Sequence, residues 1–250
     1  MNALEASLLA ASGFVAGVAN TLAGGGSLVT LPVLVFMGYP AATVANATTR
    51  PALLFQNIAA ISSFWRGRAF GDRADARRGA LYALLAIPGA LAGSMFAVGA
   101  VGDQTFKRLL AVVMIVVLVL TFRKRKAGKG QRPLPWPPWA TAGLFILVGF
   151  YGGFIQAGVG FIIMAAFIHA TPWPLLRINA WKVVIVGVYT LVTFIPFWPY
   201  IAWGPASVMA VTHALGGLAG AKLVQRFSEE LLMRVYAALL LVFAASLVFA

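Results

Sequence analysis

The sequence contains no cysteine. Disulfides, thiolate metal sites and cysteine nucleophiles are therefore excluded. Acids are nearly as scarce: the six are Glu5, Asp72, Asp75, Asp103, Glu229 and Glu230. All lie near the ends of apolar runs or between them, so no carboxylate relay or catalytic carboxylate pair can form inside a run. His169 and His213 are the only histidines. They make no HExxH pattern, and no Ser/His/Asp constellation or nucleotide-binding motif is present. No catalytic residue, metal ligand or cofactor is expected, and the chain does not read as an enzyme.

What remains is overwhelmingly apolar. Of 250 residues, 61% are hydrophobic and 10% charged, with a mean hydropathy of +0.91. A soluble domain of this size cannot hide so much apolar surface. Several runs reach the roughly 20 residues that cross a bilayer as a helix. They do not alternate with period two, which excludes a β-barrel. The fold class is an all-α polytopic membrane protein. The net charge of +13 comes from 19 Lys and Arg, mostly in short polar interruptions between runs. That placement is the positive-inside pattern, so the partner is the lipid bilayer and not nucleic acid. Met1–Ala23 carries Glu5 and no basic flank, so it does not read as a cleaved leader.

The runs fall into two series. Residues 3–37 form one long stretch broken at Gly24, Gly25 and Gly26, followed by spans at 41–65, 79–101 and 105–122. A basic, Pro-rich linker, 123–139, comes next. Residues 140–170 form a second long stretch, broken at Gly158–Gly160, followed by spans at 176–197, 205–222 and 231–249. Short matches recur in the same order. Gly13–Ser27 resembles Gly149–Phe161, with Asn20 opposite Gln156. Asn46 matches Asn179, Gly89–Gly93 matches Gly216–Gly220, and Phe106–Met114 matches Leu232–Leu240. Collinear matches of this kind indicate duplication, with repeats at 1–122 and 140–250.

Basic residues decide how the halves are oriented. If each broken stretch crosses once, Arg177, Lys222, Arg226 and Arg234 lie outside with Lys107 and Arg108. If each folds back as a hairpin, those four move inside, and Lys107 and Arg108 alone stay out. The positive-inside rule favours hairpins, and so two inverted repeats, each a Gly-broken helix plus three spans. A single broken, tilted span also fits the length.

The breaks point to a site. Helix interruptions at membrane depth are tolerated only in protein or against a watery cavity, and inverted-repeat transporters bind substrate at such places. The half-helix after each break offers free amides and a positive dipole end to an anion. This singles out Gly24, Gly25, Gly26 and Ser27, with Gly158 and Gly160 in the second half. Arg50 adds charge: it lies about 13 Å into its span at 1.5 Å per residue, with no acid in reach. A substrate anion is the expected counter-ion. Lys182 sits about 9 Å into its own helix, near the matching place. Asn20, Asn46, Thr49, Gln156 and Asn179 are the polar groups expected around these cations.

Gly17–Leu34, "GVANTLAGGGSLVTLPVL", is followed by Met37–Asn57, "MGYPAATVANATTRPALLFQN", and by a second Gly-rich break beyond the basic linker. This arrangement, spanning nearly the whole chain, resembles the sulfite exporter TauE/SafE family, also called TSUP transporters. The resemblance implies two related halves, a bacterial inner-membrane location, and export of a small inorganic or organosulfur anion such as sulfite or a sulfonate. Many family members carry a small residue and Thr-Ser where this chain has "ATTRP", so Arg50 marks a subgroup. Two rivals stand beside a carrier working by alternating access: an anion channel, and a membrane interaction subunit that transports nothing. A homodimer is compatible with the sequence.

Overall fold

A computed structural model describes residues 1–122 and 137–226. Most of the expected linker and the expected last span at 231–249 lie outside the described residues, as does the second member of the Phe106–Met114 match.

Helix starts follow from local chemistry. Asn2 and Glu5 close a capping box on α1 (Ala3–Ala23), each side chain accepting the other's backbone amide at 2.8 Å. The chain reverses after Gly24, which adopts a left-handed conformation (φ 83°), and α2 (Ser27–Phe36) begins. A Cβ placed on Gly26 would stand 2.4 Å from the Ala16 carbonyl oxygen. A straight helix would put these residues about 15 Å apart, so α2 doubles back along α1. One wide turn, Ala41–Ala45, leads into α3 (Asn46–Arg66). Asp72 caps α4 (Arg73–Gly99), accepting the Asp75 amide at 2.9 Å. That cap starts the helix six residues ahead of the expected span at 79. α5 covers Asp103–Phe122.

The second series opens with α6 (Pro138–Phe154) and α7 (Val159–Ala170). The Phe145 and Phe167 rings lie 5.3 Å apart across these helices, so this pair also folds back on itself. α8 (Leu175–Phe197) and α9 (Trp203–Arg226) complete the described chain. Among the described residues there is no strand. Among the described residues, four helical segments are long and apolar enough to cross a bilayer: Ala3–Leu22, Arg73–Gly99, Leu175–Tyr200 and Trp203–Arg226. Large apolar side chains such as Leu84, Leu147 and Ile195 are exposed on the outside, as expected where lipid is the solvent.

The packing is reciprocal. α1 lies on α9 and α6 lies on α4. Small residues let the backbones touch. Gly17 meets the His213 carbonyl and Gly216; Gly216 meets the Phe14 carbonyl. In the other interface, Gly89 and Gly93 meet the Ile146 and Phe150 carbonyls, while Gly149 and Gly153 meet those of Ala86 and Ala90. The repeat-matched glycines thus occupy matching interfaces. α3 and α8 hold the centre and run antiparallel. Arg50 reaches Thr193, while Asn57, further along α3, faces Gly187, earlier on α8.

Candidate functional site

The two breaks touch each other. The Gly24 carbonyl accepts the Gly160 amide at 3.2 Å. A Cβ on either glycine would fall 2.1 Å from the other's Cα, so only glycine permits the approach. In the second half the reversal occurs earlier than Gly158–Gly160. It begins at Ile155, and Gln156 itself is left-handed (φ 63°), ahead of Gly158 (φ 72°). A left-handed Gln costs on the order of 1–3 kcal/mol and must be held by its surroundings. Its Nε2 donates to Thr190 at 3.1 Å. The Tyr151 hydroxyl donates to the Ala157 carbonyl at 2.5 Å.

Each break leaves carbonyls without partners at the end of the helix before it. The structure satisfies them with the two buried cations. Arg50 is fully buried. Its Nη1 donates to the Gly152 carbonyl at 3.0 Å and to Thr193 at 3.4 Å. Its Nη2 donates to the Gly153 carbonyl and to Asn46 Oδ1, both at 2.8 Å. Asn46 Nδ2 takes the next carbonyl, Phe154, at 2.8 Å. The end of α6 is therefore capped by two side chains of α3, with positive charge at the negative end of the helix dipole. The guanidinium also stacks 4.6 Å from the Phe197 ring centroid.

The mirror arrangement serves α1. Lys182 Nζ donates to the Thr21 carbonyl at 2.9 Å and to Asn179 Oδ1 at 2.6 Å, with Met164 Sδ at 4.0 Å. A cation from α3 closes the broken helix of the second half, and one from α8 closes that of the first. Among the described residues neither has a carboxylate partner.

The expected site residues divide into groups. Arg50 and Asn46 meet at the end of α6. Lys182 and Asn179 meet at the end of α1. Asn20 joins Gln56 at 2.5 Å, and Gln56 joins Thr21 at 2.9 Å. Thr49 turns back to the Asn46 carbonyl at 2.8 Å. Gly25, Gly26 and Ser27 are buried at the first reversal. Of the amides expected to cradle an anion, Gly160's is engaged by Gly24. Arg50 and Lys182 do not converge. Thr193, beside the guanidinium, is eleven residues beyond Lys182 on α8, about 16 Å along the axis. Both cations also lean towards their own helix N-termini, as helical side chains do, which widens the gap. A single small anion cannot touch both.

Sequence reasoning passed over Gln56, Asn57, Tyr189, Thr190 and Thr193. All five are fully buried at the centre of α3 and α8. Adjacent amides inside an apolar run, Gln56 and Asn57, were the available signal. Among the described residues, buried Asn57 Oδ1 and Nδ2 and Arg50 Nε have no hydrogen-bond partner, while the Tyr189 hydroxyl lies against the Gln156 side chain.

Two acids brace the site from its ends. Asp103 accepts the amides of Ala41 and Ala42 at the start of the turn leading into α3, and pairs with Lys107 at 2.9 Å. Burial alone would raise its carboxyl, but Lys107 and the two amides outweigh that and hold it below the usual range. Asp75 on α4 accepts from Trp173 at 2.6 Å and pairs with Arg177 at the start of α8.

A family profile described as "Sulfite exporter TauE/SafE" matches residues 9–247. A probable membrane transporter protein of Xylella fastidiosa (strain 9a5c) is 27% identical, covering 91% of this chain and 88% of its own. One from Haemophilus influenzae is 27% identical over 88% and 85%. A third, "Probable membrane transporter protein ORF9" of Sinorhizobium sp, is 26% identical over 67% and 62%. No solved structure matches significantly.

Proposed function

The chain belongs to the sulfite exporter TauE/SafE family, and on that premise we propose that it exports small sulfur-containing oxyanions, sulfite or organosulfonates, across the bacterial inner membrane. The observation that carries the anion reading is the pair of fully buried cations without a carboxylate partner among the described residues. Carbonyl dipoles satisfy their hydrogen bonds without cancelling charge, and the Arg50 guanidinium is the group that supplies a standing positive charge. That charge attracts an anion and repels a cation in a low-dielectric setting.

The mechanism is alternating access between two inverted halves. The antiparallel run of α3 and α8 and the reciprocal α1–α9 and α6–α4 interfaces support inversion, since these are the repeat-matched helices. Lys182 and Arg50 serve as successive stations, one towards each end of α8. Movement of one half against the other exposes each station in turn. Outward passage of a monoanion is favoured by about 2.3 kcal/mol per 100 mV of inside-negative potential.

The test is uptake of radiolabelled sulfite, taurine, sulfate and acetate into proteoliposomes holding the full chain. Saturable sulfite or sulfonate flux with counterflow supports the proposal. Flux without counterflow, carried as large single-channel currents, would assign a channel instead.

A further inference from the structure

We propose that the adjoining C-terminal ends of α3 and α9 bind the phosphate headgroup of an anionic phospholipid. Arg66, Arg68, Lys222 and Arg226 surround the phosphate, and the outer faces of the two helices carry the acyl chains. The proposal concerns how the chain sits in its bilayer and stands apart from the transport reading.

α3 and α9 run parallel and end together. A Cβ placed on Gly217 would stand 2.8 Å from Gln56 Cγ, and one on Gly67 would stand 2.4 Å from Gln225 Oε1. Gln225 Nε2 also donates to the Ser63 hydroxyl at 3.4 Å. Lys222 lies one turn before Gln225 on the same side of α9, and Arg226 follows Lys222 by four residues. Arg66 and Arg68 flank Gly67. Two pairs of cations far apart in sequence are thereby set side by side.

All four are exposed, and their side chains have no ion-pair partner among the described residues. The nearby acids are engaged: Asp72 caps α4, and Asp75 holds Arg177 and Trp173. The positive-inside rule requires only that cations lie on one side of the membrane. It does not require cations of two helices to converge on one groove. Guanidinium forks match phosphate oxygens two at a time.

The surface below the cations is apolar. Phe55, Ile58 and Trp65 are exposed on α3 at spacings of three and seven residues, one stripe of the helix. The stripe ends at Trp65, 73% exposed and 6.0 Å from the Phe70 ring, directly before Arg66. An indole in that place sits at headgroup depth. On α9, Val211 and Leu215 are exposed and lead to Lys222 at spacings of four and seven. The cations are therefore held at the level of the leaflet phosphates, over two apolar tracks. A free inorganic anion would leave those tracks unused, so the occupant is a lipid.

The experiment uses the full chain in detergent micelles. Its thermal midpoint is followed as phosphatidylglycerol, phosphatidylcholine with the same tails, or inorganic phosphate is added. The expected result is a rise of several degrees with phosphatidylglycerol alone, weakened by added salt. Each cation near an anionic lipid surface contributes roughly fivefold in affinity. Arg66→Gln combined with Arg226→Gln should therefore raise the phosphatidylglycerol concentration at half effect about twentyfold. Arg77→Gln, exposed on α4, which packs on α6 and α8, should leave it unchanged. Should the double variant not fold, Arg68→Gln with Lys222→Gln serves in its place. An equal rise with phosphatidylcholine, or a phosphatidylglycerol effect intact in the double variant, would overturn the site. Inorganic phosphate acting as well as the lipid would reveal a free-anion site and overturn the lipid assignment. An equal loss in Arg77→Gln would reveal only a diffuse charge field and overturn it too.

Discussion

Arg50 Nη2 stands 2.8 Å from the carbonyl oxygen of Gly153, a residue more than one hundred positions away in sequence. The contact makes Arg50 part of the backbone of another helix as well as a source of charge.

Arg50→Gln should therefore damage both roles. Losing the guanidinium leaves the Gly152 and Gly153 carbonyls uncapped, at about 1–3 kcal/mol each. We expect sulfite flux to fall at least roughly tenfold and the thermal midpoint in detergent to drop by several degrees. Arg50→Lys keeps the charge but cannot fork to two carbonyls, so it should recover stability only in part. An Arg50→Gln protein with wild-type flux and midpoint would contradict both roles.

Gly160→Ala tests the meeting of the breaks. Its Cβ would fall 2.1 Å from Gly24 Cα, where only backbone could give way. Flux should be lost nearly completely. Gly99→Ala is the control, since nothing lies within 4 Å of that position, and it should leave flux unchanged.

Asp75 and Arg177 form the one ion pair between different helices among the described residues, with side-chain exposures of 15% and 29%. A double-mutant cycle of Asp75→Ala and Arg177→Ala, read by thermal unfolding, should give a coupling of about 1 kcal/mol. Strict additivity would show the pair to be idle.

Asp103 supplies a pH dependence. Its carboxyl is held low in the folded protein, so its contribution is present above the unfolded carboxylate pKa. It is lost as pH falls through the lower, folded value. The wild-type midpoint should decline on acidification below the ordinary carboxylate range. Asp103→Asn should flatten part of that decline while lowering the midpoint at neutral pH. Identical acid limbs in the two proteins would remove Asp103 as the cap of the turn before α3.

Helix positions and the first break were legible because hydropathy and three glycines report local needs. Gly89–Gly93 and Gly216–Gly220 are visible in the sequence as a matched pair, and the structure shows that they let backbones approach closely. The second break starts a few residues before its glycines because a glutamine, Gln156, begins the left-handed turn. Arg50 and Lys182 were recognised as buried, but their partners were invisible. Those partners are carbonyls at helix ends far along the chain, and the sequence carries no mark of which carbonyl a cation will meet. Gln56 and Asn57 are marked only as adjacent amides between Phe55 and Ile58, which shows that they are costly in an apolar run but not what they face.

The exchange of caps has a consequence for biogenesis. The end of α1 is completed by Lys182, 161 residues downstream of Thr21. The first hairpin therefore enters the bilayer long before the group that finishes it has been synthesised. Its last carbonyls lack this cap until α8 is made. Locking of the first reversal is thus a late event in assembly, and a chain truncated before α8 would leave that tip exposed to quality control.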